Sequence, residues 1–231
     1  MVGFTFMNST AEPALAHKVT MDNIYRLQRH IYDVTRRYFL LGRDTMLDGL
    51  ALKAGDSVLE MGCGTGRNLV GVARRYPGAE LFGLDISEEM LKSAQGNLLR
   101  AGLARQAKIA CADATAFDPK ICFGVTHFSR VYFSYTLSMI PDWRAALDAA
   151  LNCVEPGGEL HIVDFGQCEG LPKLLRNILF SWVGLFHVHP LRELRRVVAH
   201  RSAALGAEVT FHSLYRDYAW LIVVKTPRSV A

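Results

Sequence analysis

A short apolar segment, a glycine-rich loop and a second apolar segment ending in an acid constrain this chain more than any other feature. Residues 58–66 read Val-Leu-Glu-Met-Gly-Cys-Gly-Thr-Gly, and residues 81–86 read Leu-Phe-Gly-Leu-Asp-Ile. Glycine occupies every second position of the loop, at Gly62, Gly64 and Gly66. Such a loop turns sharply after a buried strand and lets the backbone approach a ligand closely. Asp85 ends the second segment, where a carboxylate can accept hydrogen bonds from both ribose hydroxyls. Together they predict one nucleoside-binding βαβ unit.

The glycine spacing indicates which nucleoside is bound. Dinucleotide-binding loops space their glycines G-x-G-x-x-G so that a pyrophosphate reaches a helix N-terminus. Here one residue, not two, separates the last pair, and Glu60 just before the loop would repel a diphosphate. This disfavours a nicotinamide dehydrogenase and favours a ligand without phosphate. We therefore predict S-adenosylmethionine as the cofactor, and methyl transfer as the reaction.

Further cofactor contacts are expected where other strands end, because ligands of open α/β sheets bind outside the carboxyl ends of the strands. Asp113 is placed to accept a hydrogen bond from the adenine amino group, and the Ala114 N–H to meet a ring nitrogen; the alternative is that Asp113 caps a turn. Ser134 and Tyr135 would face the methionine portion or the acceptor. The predicted cofactor contacts are Tyr25, Glu60, Gly62, Cys63, Gly64, Gly66, Asp85, Ile86, Asp113, Ala114 and Ser134.

Helical patterns alternate with short apolar runs along the chain, which predicts βαβ units. Beside the strand before the glycine loop, strands are expected at 80–84, 108–112, 125–133, 159–163, 207–213 and 218–225, and helices at 24–41, 68–76, 87–99 and 142–154. Residues 155–158, Glu-Pro-Gly-Gly, read as a turn. The predicted fold is a Rossmann-like, doubly wound α/β fold. It has a seven-stranded, mostly parallel sheet, an antiparallel C-terminal edge strand and an N-terminal helical extension. We expect a flexible leader at 1–20, a helical lid at 21–50 and a methyltransferase domain at 51–231.

Composition narrows the class of protein. The chain has 231 residues, half of them apolar, and a net charge of +4, which permits an anionic surface as partner but does not imply nucleic acid. Its five cysteines show neither C-x-x-C pairing nor a metal-ligand spacing, so we predict reduced thiols and no metal site. There is no apolar run long enough for a membrane span and no secretory signal pattern. We expect a soluble protein that stays inside the cell.

Several longer strings resemble one family. The glycine loop and Asp85 resemble class I S-adenosylmethionine-dependent methyltransferases over about residues 50–165. A closer resemblance, to bacterial betaine-lipid N-methyltransferases, lies in the strings at 25–44, 134–143, 161–166, 186–188 and 214–220. This resemblance covers most of the chain from residue 21. It implies three successive N-methylations of diacylglycerylhomoserine, giving diacylglyceryltrimethylhomoserine.

The chemistry of such a reaction suggests which side chains to look for. A sulfonium is an activated methyl donor, so the protein has to align nucleophile, methyl carbon and sulfur and exclude water. The amine must first lose a proton, to solvent or to a base such as His187. The quaternary ammonium product favours aromatic faces by about 0.5–2 kcal/mol per ring. We predict that Tyr32 and Tyr135 border the transfer site as catalytic residues, although tyrosines are also ordinary core residues. The predicted substrate contacts are Arg43, His187, Tyr215, Arg216 and Tyr218.

A second amphipathic segment bears on where the enzyme works. Between residues 171 and 186 apolar side chains, including Trp182, recur at helical spacing, and basic residues fall on the other face. Such a helix can lie in a membrane interface, or it can simply pack on the sheet. We expect a cytoplasmic protein associated peripherally with the inner face of the cell membrane, where it meets its lipid substrate.

Other functions stay open on sequence grounds. A quinone C-methyltransferase has the same fold and needs no site for a headgroup carboxylate, and phosphatidylethanolamine N-methylation lies closer still. A nucleic-acid amine methyltransferase is disfavoured, because residues 134–137 read Ser-Tyr-Thr-Leu and not Asn/Asp-Pro-Pro-aromatic. A non-catalytic cofactor-binding partner of another enzyme is the remaining alternative. The oligomeric state is not predicted.

Overall fold

The computed structural model describes residues 40–170, 172 and 190–228. In this part of the chain the α-helices are α1 (Arg43–Gly49), α2 (Arg67–Arg75), α3 (Glu88–Arg100), α4 (Pro119–Phe123), α5 (Trp143–Asn152) and α6 (Leu194–Ala204). The strands are β1 (Ser57–Met61), β2 (Glu80–Asp85), β3 (Ala107–Cys111), β4 (Phe128–Ser134), β5 (Val154–Phe165), β6 (Glu208–Leu214) and β7 (Ala219–Lys225). A 3₁₀ turn at Leu137–Met139 follows β4.

The strands form one seven-stranded sheet in the order β3-β2-β1-β4-β5-β7-β6. Strands β1 to β5 run parallel, and β7 pairs antiparallel with both β5 and β6. The strand order reverses between β1 and β4, so the loops after these two strands diverge to opposite sides of the sheet. This switch point is where open α/β sheets bind their ligands.

Successive residues of a strand supply two apolar clusters, as the alternation of side chains across a sheet requires. Phe82 and Val131 belong to one cluster with Leu147 of α5. Their neighbours Leu81 and Tyr132 belong to the other, with residues of α1 and α2. Helices therefore cover both faces, and the central strands are buried on both sides.

Side-chain caps determine where several helices begin. Ser87 accepts a hydrogen bond from the Met90 N–H at the start of α3, and Asp142 accepts one from the Ala145 N–H at the start of α5. Asp118 caps α4, which has Pro119 in its first turn. Such caps satisfy backbone donors that a helix cannot satisfy itself.

The predicted fold class is confirmed, and those expected strands and helices that lie in the described residues are found within about five residues of their predicted bounds. Two details differ. The edge strand at this end is β6, and the antiparallel strand β7 lies one position inside it, because its apolar residues on both faces are buried. The segment expected to be a turn, residues 155–158, is the first part of β5. The predicted helix at 24–41 and most of the segment 171–186 lie outside the described residues.

No helix among the described residues is long and apolar enough to cross a membrane.

Candidate functional site

The loop after β1 is shaped by its three glycines. Gly62, Gly64 and Gly66 have φ values of 75°, 51° and 71°, in the left-handed region that favours glycine. The N–H groups of Gly62 and Cys63 both donate to the Leu84 carbonyl oxygen at 2.8 Å, which ties the loop to β2. A Cβ on Gly62 would lie 2.2 Å from Cγ2 of Thr136, whereas one on Gly64 would meet nothing within 4 Å. The loop is thus closely packed at Gly62 and open at Gly64.

Asp85 connects this loop to the start of α3. Its Oδ2 accepts a hydrogen bond from the Gly64 N–H at 2.8 Å, and its Oδ1 accepts one from the Ser87 N–H at 2.9 Å. The carboxylate is half-buried at the end of β2. Since each carboxylate oxygen has two lone pairs, Asp85 can still accept hydrogen bonds from a diol.

Asp113 lies two residues after β3, whose Cys111 is in register with Asp85. Its Oδ1 accepts hydrogen bonds from the N–H and from the hydroxyl of Thr115, at 2.8 and 2.7 Å. Asp113 therefore does form the turn that was the alternative to a binding role. Its Oδ2 has no protein partner in the described part of the chain and can accept from an amino group, so both roles are compatible.

Two polar residues are buried at the switch point itself. Ser134, at the end of β4, has a hydroxyl with no hydrogen-bond partner among the described residues. Glu60 is 1% exposed on β1, and its Oε1 accepts a hydrogen bond from the Asn68 side chain at 2.7 Å. An unsatisfied buried hydroxyl costs about 1–3 kcal/mol, which a polar ligand at this position would recover.

These groups fit an adenosyl ligand. The Asp85 carboxylate can accept hydrogen bonds from a ribose diol, and the Asp113 carboxylate can accept them from an exocyclic amine. The open space at Gly64 and the buried Ser134 hydroxyl can receive a polar tail. Acceptor oxygens dominate this set, which suits hydroxyl and amino donors and not a diphosphate. S-adenosylmethionine carries these donors.

The remaining predicted cofactor contacts differ in their surroundings. Ile86 is half-buried beside Asp85, and Ala114 is 8% exposed with its N–H in no backbone hydrogen bond of the described region. The Cys63 side chain packs in the apolar core, and burial, with Asp85 and Glu60 nearby, raises the pKa of its thiol well above the usual value. Tyr25 lies outside the described residues.

Tyr135 belongs to an aromatic cluster at the ends of β4 and β5, in which Phe165 lies between Tyr135 and Tyr218. Its ring meets that of Phe165 edge to face at 4.6 Å between centroids, and Phe165 meets Tyr218 at 5.9 Å. The Tyr135 hydroxyl donates to the Leu41 carbonyl oxygen. Only 1% of the residue is exposed, so its side chain belongs to the apolar core, and its role at the transfer site stays a prediction.

Electrostatics show which predicted substrate residues gather around Tyr135. Burial, followed by the neighbouring Tyr218, Asp164 and Tyr215, raises the pKa of its hydroxyl well above the usual value, and Arg43 opposes that shift. Arg43, Tyr215 and Tyr218 are thus brought together, although they are far apart in sequence. Tyr215 is 54% exposed and Tyr218 only 7%.

Arg216 follows Tyr215 in an exposed turn, close enough to Gly170 that a Cβ on that glycine would lie 2.9 Å from the Arg216 Cβ. The predicted roles of His187 and Tyr32 concern residues outside the described part of the chain.

Sequence reasoning did not assign two acids that organise this region. Asp164 is 1% exposed and accepts hydrogen bonds from the N–H groups of Ser138 and Phe165, at 3.0 and 2.8 Å. Asp217 accepts from the Trp220 indole and the Ser213 hydroxyl with one oxygen and from the Gln167 N–H with the other. The position of Asp164 at the end of a predicted strand was a local signal for a site residue or a turn acid, whereas nothing local to residue 217 indicated its partners.

Comparisons with known proteins agree with this geometry. Residues 58–158, which include β1 to β4 and the glycine loop, match a family model described as a methyltransferase domain. This part of the chain is a methyltransferase domain.

Relatives support the assignment. The chain is 27% identical to the ubiquinone/menaquinone biosynthesis C-methyltransferase UbiE of Desulfotalea psychrophila over 191 residues, 79% of this chain and 72% of that protein. It is 31% identical to the trans-aconitate 2-methyltransferase of Methylobacterium radiotolerans, over 59% of this chain but only 48% of the relative. The fold is similar to that of a SAM-dependent methyltransferase from Aquifex aeolicus, with a TM-score of 0.60 and 17% identity over 83% of this chain and 93% of that one.

The prediction of an S-adenosylmethionine-dependent methyltransferase domain is thereby confirmed. The acceptor of the methyl group is a separate question, because the relatives named act on different compounds.

Proposed function

We propose that the protein is an S-adenosylmethionine-dependent N-methyltransferase that converts diacylglycerylhomoserine to diacylglyceryltrimethylhomoserine by three successive methylations. The observation that carries this proposal is the grouping of Arg43, Tyr215 and Tyr218 near Tyr135 at the end of the parallel strands. The Tyr135 hydroxyl donates to the carbonyl oxygen of Leu41, two residues before Arg43, and the Phe165 ring contacts the rings of both Tyr135 and Tyr218. A homoserine headgroup has a carboxylate and an amine that becomes a quaternary ammonium. A guanidinium beside aromatic rings matches those two charges.

Arg43 is suited to hold the headgroup carboxylate. Its side chain is 11% exposed, and its one described ion pair is with Asp44 at 3.3 Å, on a carboxylate that is itself 62% exposed. An exposed partner of this kind competes weakly, since surface ion pairs contribute about 0–1 kcal/mol. A substrate carboxylate can therefore share or replace it.

The tyrosines act through their rings and not as bases. The raised pKa of Tyr135 keeps its hydroxyl protonated, and that hydroxyl donates to Leu41. The bound cofactor supplies an activated methyl group on a sulfonium. The chain orients the amine toward it, excludes water with the aromatic cluster and stabilises growing positive charge on nitrogen. The proton of the amine leaves to solvent or to His187.

Quinone C-methylation is the second candidate. The similarity to the Desulfotalea C-methyltransferase favours it. An aromatic ring carbon needs no carboxylate partner, so Arg43 would be dispensable for this reaction. The ethanolamine headgroup of phosphatidylethanolamine likewise has no carboxylate beside its amine, so Arg43 would be dispensable there too.

One experiment separates these acceptors. The purified protein is incubated with methyl-labelled S-adenosylmethionine and, in parallel, with diacylglycerylhomoserine, phosphatidylethanolamine or a demethylated quinone, and products are read by mass spectrometry. We expect mono-, di- and trimethylated homoserine lipid. An Arg43→Gln variant should lose most of this activity, and an Arg105→Gln variant, at an exposed arginine elsewhere, should keep it. Label in the quinone alone, unaffected by Arg43→Gln, would replace the proposal with its alternative.

The proposed organisation follows from the same function. A leader at 1–20 and a helical lid at 21–50 would precede the methyltransferase domain at 51–231. The protein would work in the cytoplasm at the inner face of the cell membrane, where a diacyl acceptor resides.

A further inference from the structure

A basic pocket lies beside the glycine loop, between α1, α2 and α3. Its volume is about 630 Å³. Among the described residues that line it are five arginines, Arg43, Arg67, Arg74, Arg75 and Arg100, and a single carboxylate, that of Asp44. Asn68, Asn97 and Thr65 add polar groups, and Leu47 and Val70 add apolar surface. These arginines come from three different helices, so only the tertiary structure brings them together.

Two of the guanidinium groups are held in place by the protein. Arg75 donates from Nε to Asp48 at 2.5 Å and from a terminal nitrogen to the Gly71 carbonyl oxygen at 3.2 Å. Arg100 donates to the Asn97 side chain at 2.5 Å. Holding a guanidinium in position reduces the entropy lost when a ligand binds.

The positive charge of the pocket is not balanced by the carboxylates next to it. Asp44 pairs with Arg43 and Arg75, and Asp48 pairs with Arg75. Arg74 is exposed and makes no side-chain ion pair or hydrogen bond within the described part of the chain, and the neutral Asn97 is the partner of Arg100. The pocket therefore keeps donors and charge for an anion.

We propose that this pocket binds phosphate groups, and that it anchors the protein to an anionic phospholipid surface. A planar guanidinium donates two parallel hydrogen bonds to phosphate oxygens, and several converging ones suit a phosphate monoester or diester. The pocket is concave and partly apolar, which matches a single headgroup and its glycerol. An extended nucleic-acid backbone would instead need a stripe of positive charge.

The pocket shares residues with the cofactor loop. Asn97 donates to the Thr65 carbonyl oxygen at 2.8 Å, and Asn68 donates to Glu60 at 2.7 Å. A phospholipid held here would place the cofactor loop at the membrane surface, whichever acceptor is methylated. Arg43 lines this pocket and also has the proposed role at the acceptor carboxylate, so the test below changes Arg74 and Arg100, which have no role in the acceptor site.

The test measures binding of the full chain to vesicles. Phosphatidylcholine vesicles with and without phosphatidylglycerol are compared by co-sedimentation at low and high salt. The variant Arg74→Glu/Arg100→Glu reverses two exposed charges of the pocket, and Lys120→Glu/Arg228→Glu reverses two exposed charges on segments that do not line it. We expect the pocket variant to bind anionic vesicles about tenfold or more weakly than wild type, and the matched control to bind nearly as well.

Folding and the source of the phosphate are controlled separately. Heat of binding with S-adenosylmethionine should be unchanged in both variants, and Arg74→Gln/Arg100→Gln offers a milder change should the reversal impair folding. Titration with inorganic phosphate asks whether a soluble phosphate also binds. Pocket-dependent binding of inorganic phosphate without vesicle binding would overturn the membrane anchor and assign the pocket to a soluble phosphorylated ligand. Equal weakening in both double variants, or binding only to a short RNA, would overturn the proposal.

Discussion

The tightest constraint at the scale of single residues is at Gly62, because a side chain there would meet Thr136. We predict that Gly62→Ala destabilises the protein by about 2–5 kcal/mol, the sum of overpacking and left-handed strain. Gly64→Ala introduces the same left-handed backbone strain without the contact with Thr136, and should lower the free energy of unfolding by about 1–2 kcal/mol. Urea unfolding measures both.

A second substitution separates the steric clash from the backbone strain in the effect of Gly62→Ala. Thr136→Ser removes the Cγ2 that would lie 2.2 Å from the new Cβ and keeps the hydroxyl. In that background Gly62→Ala should approach the effect of Gly64→Ala. If the Thr136→Ser background changed nothing, the contact would not be the cause.

Asp85 is expected to be the most sensitive cofactor residue. It would bind the ribose and already holds the N–H groups of Gly64 and Ser87. Asp85→Ala should weaken S-adenosylmethionine binding by about tenfold to hundredfold, the range for a lost charged hydrogen bond. Titration calorimetry measures the dissociation constant. Asp142→Ala, which removes a helix cap far along the chain, should leave it unchanged while lowering stability.

At the scale of elements, the turn between β6 and β7 stands out. Tyr215, Arg216 and Asp217 all have positive φ, at 52°, 58° and 67°, although none is glycine. A Cβ on Gly166 would lie 2.2 Å from the Asp217 carbonyl oxygen, so the turn packs closely on the end of β5. Strain of this kind persists only where surrounding contacts impose it. Here those contacts are the hydrogen bonds to Asp217, and they position the exposed Tyr215.

The stability provided by this turn should depend on pH. Burial alone would raise the pKa of Asp217, but hydrogen bonds from Trp220, Ser213 and the backbone at Gln167 and Glu169 lower it overall. A lowered pKa stabilises the fold fully above the unfolded value of about 3.9, and the contribution is lost as pH falls through the folded value. Asp217→Asn should therefore cost about 1 kcal/mol at neutral pH. The difference in melting temperature from wild type should close below about pH 4. A difference that persisted in acid would contradict this assignment.

At the scale of the whole molecule, the cysteines report on packing. Cys111 is exposed and Cys122 half-buried, whereas Cys63, Cys153 and Cys168 are buried. Burial, with Asp118 nearby, raises the pKa of Cys153 to about 11, which further suppresses its reactive thiolate. We predict that a thiol reagent modifies Cys111 first in the native protein, and the three buried thiols only at the rate of global unfolding. Mass spectrometry of timed samples identifies the modified residue.

Cofactor should slow modification at Cys111, because this residue lies in register with Asp85 and contacts the Ile86 carbonyl oxygen at 3.6 Å. Cys122, on α4, serves as the control within the same chain and should react at an unchanged rate. Equal protection of both cysteines would indicate a general tightening of the fold and not a local contact.

Much of the fold was readable because its signals are local. The apolar runs at 80–84 and 108–112 became β2 and β3, and the helical pattern at 87–99 became α3, since each is decided by neighbours along the chain. The turn expected at 155–158 was wrong, because β5 extends back to Val154, which pairs with Phe128. The pairing register with β4 shifts across the Pro-Gly-Gly sequence, since the next pair is Arg130 with Glu159. Long-range pairing there outweighs local preference.

What the sequence by itself determined is the βαβ unit predicted to bind a nucleoside, with a glycine loop after one strand and an acid ending the next. Backbone conformation and strand-end position are properties of short segments, so the sharp loop at Gly62 and Gly64 and the strand end at Asp85 could be predicted from the sequence. Only the tertiary structure decided which distant residues meet. It placed Arg43 near Tyr135, inserted β7 between β5 and β6, and gathered five arginines into one pocket. Such contacts depend on how helices and strands pack across the sheet, and no spacing along the chain encodes them.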